Sequence, residues 1–106
     1  LPEVFLTIGK VPLCKYATPS TNGVHKSLEP YINYSWAMLL QNHGALTLGK
    51  SLDDAYFKME KLEHAAKIIL LAQLIGKPRE LTKKNIDDIL KIAGSTYGII
   101  PDKRNI

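Results

Sequence analysis

The residues from Ser51 to Ile75 set the tightest limit on how this chain can fold. Ser51 reads as a helix N-cap, Asp53 and Asp54 put negative charge in the first turn, and Gly76-Lys77-Pro78 ends the segment. Leu52, Ala55, Tyr56, Met59, Leu62, Ala66, Ile69 and Gln73 trace one face at helical spacing. Asp54 with Lys58, and Glu63 with Lys67, stand four apart as supporting ion pairs. From Ile68 to Ile75 the helix is apolar almost all round, so this half needs cover from more than one layer or from another subunit. A chain of 106 residues has room for one core, and residues 1–106 are expected to form a single domain around this helix.

Shorter elements alternate along the rest of the chain. Val4 to Ile8, rich in β-branched and aromatic residues and closed by Gly9-Lys10, reads as a strand. Pro12 and the cluster Thr18 to Thr21 bracket an extended connection, and a helix is expected to start near Ser20 or Thr21 and to end or kink at Pro30. Trp36 to Leu40 is a continuous apolar run, the pattern of a strand covered on both faces, and Ala45 to Leu48 is a similar run. Asn42-His43-Gly44 joins them as a tight turn. A last helix is expected to start at the Thr82 cap, bury Ile86, Ile89, Leu90 and Ala93, and stop at Gly94, leaving Ser95 to Ile106 as a tail. The class is α/β.

Charge and composition mainly exclude. The net charge of +4 comes from scattered lysines, and no basic run exceeds two residues, which argues against nucleic-acid binding. Hydrophobic residues at 45% and charged residues at 23% are those of an ordinary globular protein. No apolar run is long enough to span a bilayer, so no membrane partner is expected. The single Cys14 cannot form an internal disulfide and reads as a small buried apolar residue, which suits the reducing cytoplasm.

His43 is the polar residue best placed for chemistry, because a turn between two apolar strands presents its imidazole and Gly44 beside it leaves room for a neighbour. The same position also suits a His that caps the turn through hydrogen bonds. A catalytic zinc needs about three converging protein ligands, and the other imidazoles, His25 and His64, each stand alone on a helix. Tyr97, after the last helix, is either packing or a general acid. No nucleophile elbow, phosphate-binding loop, dinucleotide fingerprint or His-Glu-x-x-His helix is present.

The stretch Ala37-Met-Leu-Leu-Gln-Asn-His-Gly-Ala-Leu-Thr-Leu-Gly-Lys50, followed by Leu52-Asp-Asp-Ala-Tyr56 and Met59-Glu-Lys-Leu-Glu-His-Ala65, resembles the class II aldolase and adducin head family. Upstream, Val11-Pro-Leu-Cys-Lys-Tyr-Ala-Thr-Pro-Ser-Thr21 is similar to a loop of L-fuculose-phosphate aldolases. The resemblance implies a three-layer α/β/α sandwich with a mainly antiparallel central sheet, of which this chain is the C-terminal half. It also implies that His43 is a Zn2+ ligand, another divalent metal being possible, and that Tyr97, in Ser95-Thr-Tyr97-Gly98, reaches the active site of a neighbouring subunit and helps proton transfer.

The implied activity is reversible cleavage of a sugar phosphate, a ketose phosphate, to dihydroxyacetone phosphate and an aldehyde, with zinc stabilising the enediolate. Epimerase and dehydratase relatives use similar sites. The resemblance also implies a homo-oligomer, a tetramer. The family's other two His ligands, its acid–base Glu and its phosphate loops have no counterpart in these 106 residues, and the chain opens on Leu1-Pro2 without an initiator Met. The expectation is therefore an incomplete piece, inactive by itself; the alternative is a non-catalytic interaction module of the adducin-head kind.

Overall fold

The computed structural model describes all residues from Leu1 to Ile106. Helix α1 (Pro2–Thr7) leads to strand β1 (Leu13–Cys14), helix α2 (Asn22–Leu28), strands β2 (Ala37–Leu40) and β3 (Gly44–Thr47), the long helix α3 (Leu52–Ile75) and helix α4 (Lys83–Tyr97). A 3-10 turn at Lys103–Asn105 closes the chain.

Three short strands form one sheet in the order β1-β2-β3. β2 and β3 are antiparallel, with Leu40 opposite Gly44 and Ala37 opposite Thr47. β1 runs parallel to β2, pairing Leu13 with Leu39 and Cys14 with Leu40. The sheet is thus mixed, not mainly antiparallel: β1 reaches β2 through α2, and a helical crossover returns the chain in the same direction. Thr47 Oγ1 donates to the Ala55 carbonyl at 2.8 Å, which seats α3 on one side of the sheet. On the opposite side Leu40 borders Val24 and Ser27 of α2.

The end signals of α3 operate as the sequence predicts. Ser51 Oγ accepts the backbone N–H of Asp54 at 3.1 Å, and Gly76 caps the C-terminus. Lys58 Nζ meets Asp54 Oδ2 at 2.7 Å and lies 4.1 Å from the centre of the Trp36 ring, so one ammonium joins α3 to the start of β2. Glu63 and Lys67 do not pair. The buried face also differs from the predicted one: Ala65 is buried and Ile68 half-buried, whereas Leu52, Tyr56, Ala66, Ile69 and Gln73 are exposed. One position of slip rotates a helix by about 100°, enough to turn Ile69 outward.

Residues 4–8 are the clearest correction, because Val4 to Leu6 lie in a helix and not in a strand. Pro2, with its fixed φ, occupies the first turn, Glu3 complements the dipole there, and Thr7 Oγ1 donates to the Glu3 carbonyl at 2.6 Å. α1 packs against α3 and α4, and that tertiary contact outweighs the β propensity of Val4 and Phe5.

α4 likewise departs from expectation at its end. Its Thr82–Asn85 capping box is in place, and Ile86, Ile89, Leu90 and Ala93 face inward. The helix then runs through Gly94 to Tyr97 and stops at Gly98, whose φ of 63° is the left-handed cap conformation. Gly94 lowers helix propensity, but it does not end a helix whose following residues still bond. Beyond it the tail returns to the body, where Asn105 Nδ2 donates to the Ile8 carbonyl at 3.0 Å and Lys10 N–H donates to the Asn105 carbonyl at 2.9 Å.

Candidate metal-ligand turn

The turn between β2 and β3 is built by backbone hydrogen bonds. His43 N–H donates to the Leu40 carbonyl at 3.0 Å, and Asn42 takes a φ of 55°. A positive φ is what a type II turn requires at its third residue, and Asn tolerates it better than most side chains. The turn is tied to the strand beside it: Gln41 N–H donates to the Cys14 carbonyl at 3.1 Å, and Gln41 Oε1 accepts from Tyr16 N–H at 3.2 Å. His43 therefore stands exposed on a backbone held from two sides.

Beside His43 is a shallow surface depression bordered by Lys15, Ala17, Val24, Ser27, Leu40 and Gln41. None of these is a second imidazole, a thiolate or a carboxylate. Nowhere do three His, Cys, Asp or Glu side chains come close enough to hold a metal ion. The donors of these 106 residues alone do not fit a resident divalent metal, which needs about three converging ligands. Nor does any group fill the space beside Gly44, where an added Cβ would meet nothing within 4 Å.

The other candidates lie elsewhere. Tyr97 is exposed as the last residue of α4 and does not border the depression beside His43. His25 faces Glu29 at 3.4 Å on the surface of α2, a local helical pair. His64 borders a groove between α1 and α3 together with Glu60, Lys61 and Glu3. Cys14 is fully buried, and burial pushes its thiol pKa up, so it is an inert core residue. Lys15, which has no local motif, comes beside His43 only through the parallel pairing of β1 with β2.

The sequence from α1 through most of α3 decides the family. Residues 2–70 match the family described as "Class II Aldolase and Adducin N-terminal domain". The chain belongs to the class II aldolase and adducin family. The 3-oxo-tetronate 4-phosphate decarboxylase of Escherichia coli K12 is 37% identical over 70 residues, which is 66% of this chain and 33% of that protein. The L-fuculose phosphate aldolase of Methanocaldococcus jannaschii is 52% identical over 40 residues, 38% of this chain and 22% of its own length. A solved L-fuculose 1-phosphate aldolase superposes with a TM-score of 0.73 at 29% identity, covering 83% of this chain and 42% of its own. This class II aldolase-family chain thus spans less than half the length of the relatives it matches. No helix in it is long and apolar enough to cross a membrane.

Proposed function

We propose that this chain is part of a metal-dependent carbon–carbon lyase acting on small sugar phosphates, and that His43 is one of the ligands to its zinc. The observation that carries the proposal is the rigid, exposed Asn42-His43-Gly44 turn in a class II aldolase-family fold. The remaining ligands are assigned to polypeptide outside these 106 residues, which fits the open space beside Gly44. The chain alone is expected to be inactive. Tyr97 is assigned to proton transfer at a site contributed in part by a neighbouring subunit of a homo-oligomer, which suits its exposure and its separation from the depression beside His43.

The names of the two relatives share one chemistry. Each substrate carries a phosphorylated carbon, then a ketone, then a carbon whose outer bond breaks: to a carboxylate in the 3-oxo acid, to a hydroxylated carbon in the ketose. In both cases the electron pair of the broken bond is left on the carbon beside the ketone and is delocalised onto its oxygen. We assign this chain the same substrate class, a phosphomethyl ketone with a cleavable neighbour, and dihydroxyacetone phosphate as the common product. The leaving fragment, carbon dioxide or an aldehyde, distinguishes the decarboxylase from the aldolase.

The test uses the protein at its natural length. Dihydroxyacetone phosphate is followed with L-fuculose 1-phosphate and, separately, with 3-oxo-tetronate 4-phosphate, alongside metal analysis of the wild type and His43→Ala. Turnover of at least one substrate, lost in His43→Ala together with bound zinc, is the expected result. Absence of product from both would leave the non-catalytic interaction module as the working description.

A further inference from the structure

A cleft of about 410 Å3 lies between the end of α1, the segment that enters β2 and the returning tail. That volume is in the range of small-molecule sites, and Phe5, Ile8, Tyr34, Trp36, Leu48 and Ile99 are among its walls. It stands at the far end of the β2–β3 hairpin from His43: Trp36 enters β2 and Leu48 leaves β3, whereas Leu40 and Gly44 flank the turn. Four residues of strand put about 13 Å between the two ends. Within the cleft, Thr7 Oγ1 donates to the Glu3 carbonyl and Asn105 Nδ2 to the Ile8 carbonyl, and both carboxylate oxygens of Asp102 hold Arg104. Two buried oxygens on its wall have no partner. The Ser35 hydroxyl and Asn105 Oδ1 make no hydrogen bond, although Ser35 is only 3% exposed and Asn105 4%. Buried polar groups in folded proteins are paired, and these two oxygens are shut off from open solvent, so bulk water does not serve them.

We propose that this cleft binds a small neutral aromatic molecule that carries an N–H or O–H group. The donor is required by Asn105 Oδ1, which can only accept; Ser35, which can donate or accept, takes the valence that the ligand has left. Ser35 turns its hydroxyl about a single bond between staggered positions, and side-chain turns of this kind are common on binding. Neutrality follows from the charges around the cleft. A ligand ammonium needs a free carboxylate, and Asp102 already holds Arg104 through two contacts at 3.0 and 2.8 Å. A ligand anion would be set against the Asn105 oxygen, away from water. Phe5, Tyr34 and Trp36 favour a ring, which meets other rings edge-on or offset.

The site does not depend on the metal reading, and the two fail separately. The protein at its natural length is titrated by NMR with phenol and with anisole, its methyl ether, which keeps the ring and lacks the O–H. Phenol is expected to bind at least about 10-fold more tightly, with backbone shifts at Ser35, Ile99 and Asn105 and not at His43. Ser35→Ala removes an oxygen that has no partner in this chain. Its melting point without ligand is therefore expected to equal or exceed that of wild type, while its affinity for phenol falls about 5-fold or more. Equal affinity for the two probes, binding of neither, or shifts confined to the His43 turn overturns the proposal. A Ser35→Ala protein that melts about 5 °C or more below wild type, or does not fold, overturns it too. The hydroxyl then has its partner in polypeptide outside these residues, and protein fills the cleft.

Discussion

Asn105 and Ile8 stand 97 positions apart in sequence, yet the Asn105 amide nitrogen donates to the Ile8 carbonyl at 3.0 Å in the interior. Ile8 is fully buried and Asn105 nearly so. Gly9, at a φ of 74°, passes so close to Asn105 that an added Cβ would overlap its side-chain nitrogen. Asn105→Ala leaves the Ile8 carbonyl without its donor, and an unsatisfied buried acceptor costs about 1–3 kcal/mol. Urea denaturation of Asn105→Ala is expected to show a loss of that size. A loss below about 0.5 kcal/mol would mean that the tail does not hold this position in solution.

Gly49 is expected to resist substitution for a steric reason. An added Cβ would overlap the Ala55 backbone nitrogen and lie 2.8 Å from Asp54 Oδ2, at the point where β3 turns into α3. The first turn of α3 would have to shift, breaking the contact from Lys50 N–H to Asp54 Oδ2 at 2.9 Å. Gly49→Ala is expected to cost about 1–3 kcal/mol, in the range of overpacked sites. Gly44→Ala is the control: its added Cβ meets nothing in this chain, so its thermal midpoint should stay close to wild type unless further polypeptide lies there.

Acid stability follows from two carboxylates. The hydrogen bond from Lys58, then that from the Lys50 backbone, holds the Asp54 pKa below its ordinary value, and Arg104 holds Asp102 down at about 2. A carboxyl whose folded pKa is depressed stabilises the fold above its unfolded pKa of about 3.9 and loses that contribution as pH falls through the folded value. Between about pH 4 and pH 2 the wild type should therefore lose stability more steeply than Asp54→Asn/Asp102→Asn. Urea midpoints measured across this range check the slope, and equal slopes would count against both interactions.

His43 and Tyr97 are both exposed, so removing their side chains should leave the fold within about 0.5 kcal/mol of wild type. At natural length, His43→Ala is expected to lose zinc. Tyr97→Phe is expected to keep zinc and to lower kcat by about 10²- to 10⁴-fold, the range of a removed proton-transfer group. A Tyr97→Phe protein with full activity would return Tyr97 to a packing role.

What could be read from the sequence depended on how local its cause was. Ser51, Thr82, Gly76 and Pro30 act on residues within one turn, and the boundaries they mark are close to those observed. The hairpin around His43 was legible for the same reason, since two apolar runs and an Asn-His-Gly turn need no distant partner. Val4 to Leu6 was misread because its helix depends on contacts with α3 and α4 from the other end of the chain. The mixed sheet was illegible because two residues of β1 carry no strand period. The single metal-ligand candidate could be named from its turn and the family motif, but nothing in these residues encodes the ligands that would surround it.

The contact from Thr47 Oγ1 to the Ala55 carbonyl spans eight residues, and the clasp from Asn105 to Ile8 spans 97. Closing the longer loop costs about 2 kcal/mol more in chain entropy. The β2–β3 turn and the first turns of α3 are therefore expected to order before the clasp, and to hold His43 in place before Asn105 reaches Ile8. During synthesis the clasp must wait for Asn105 to emerge. The turn at His43 is thus formed before the clasp, so variants that fold slowly are to be sought at the turn, and variants at the clasp mainly unfold faster.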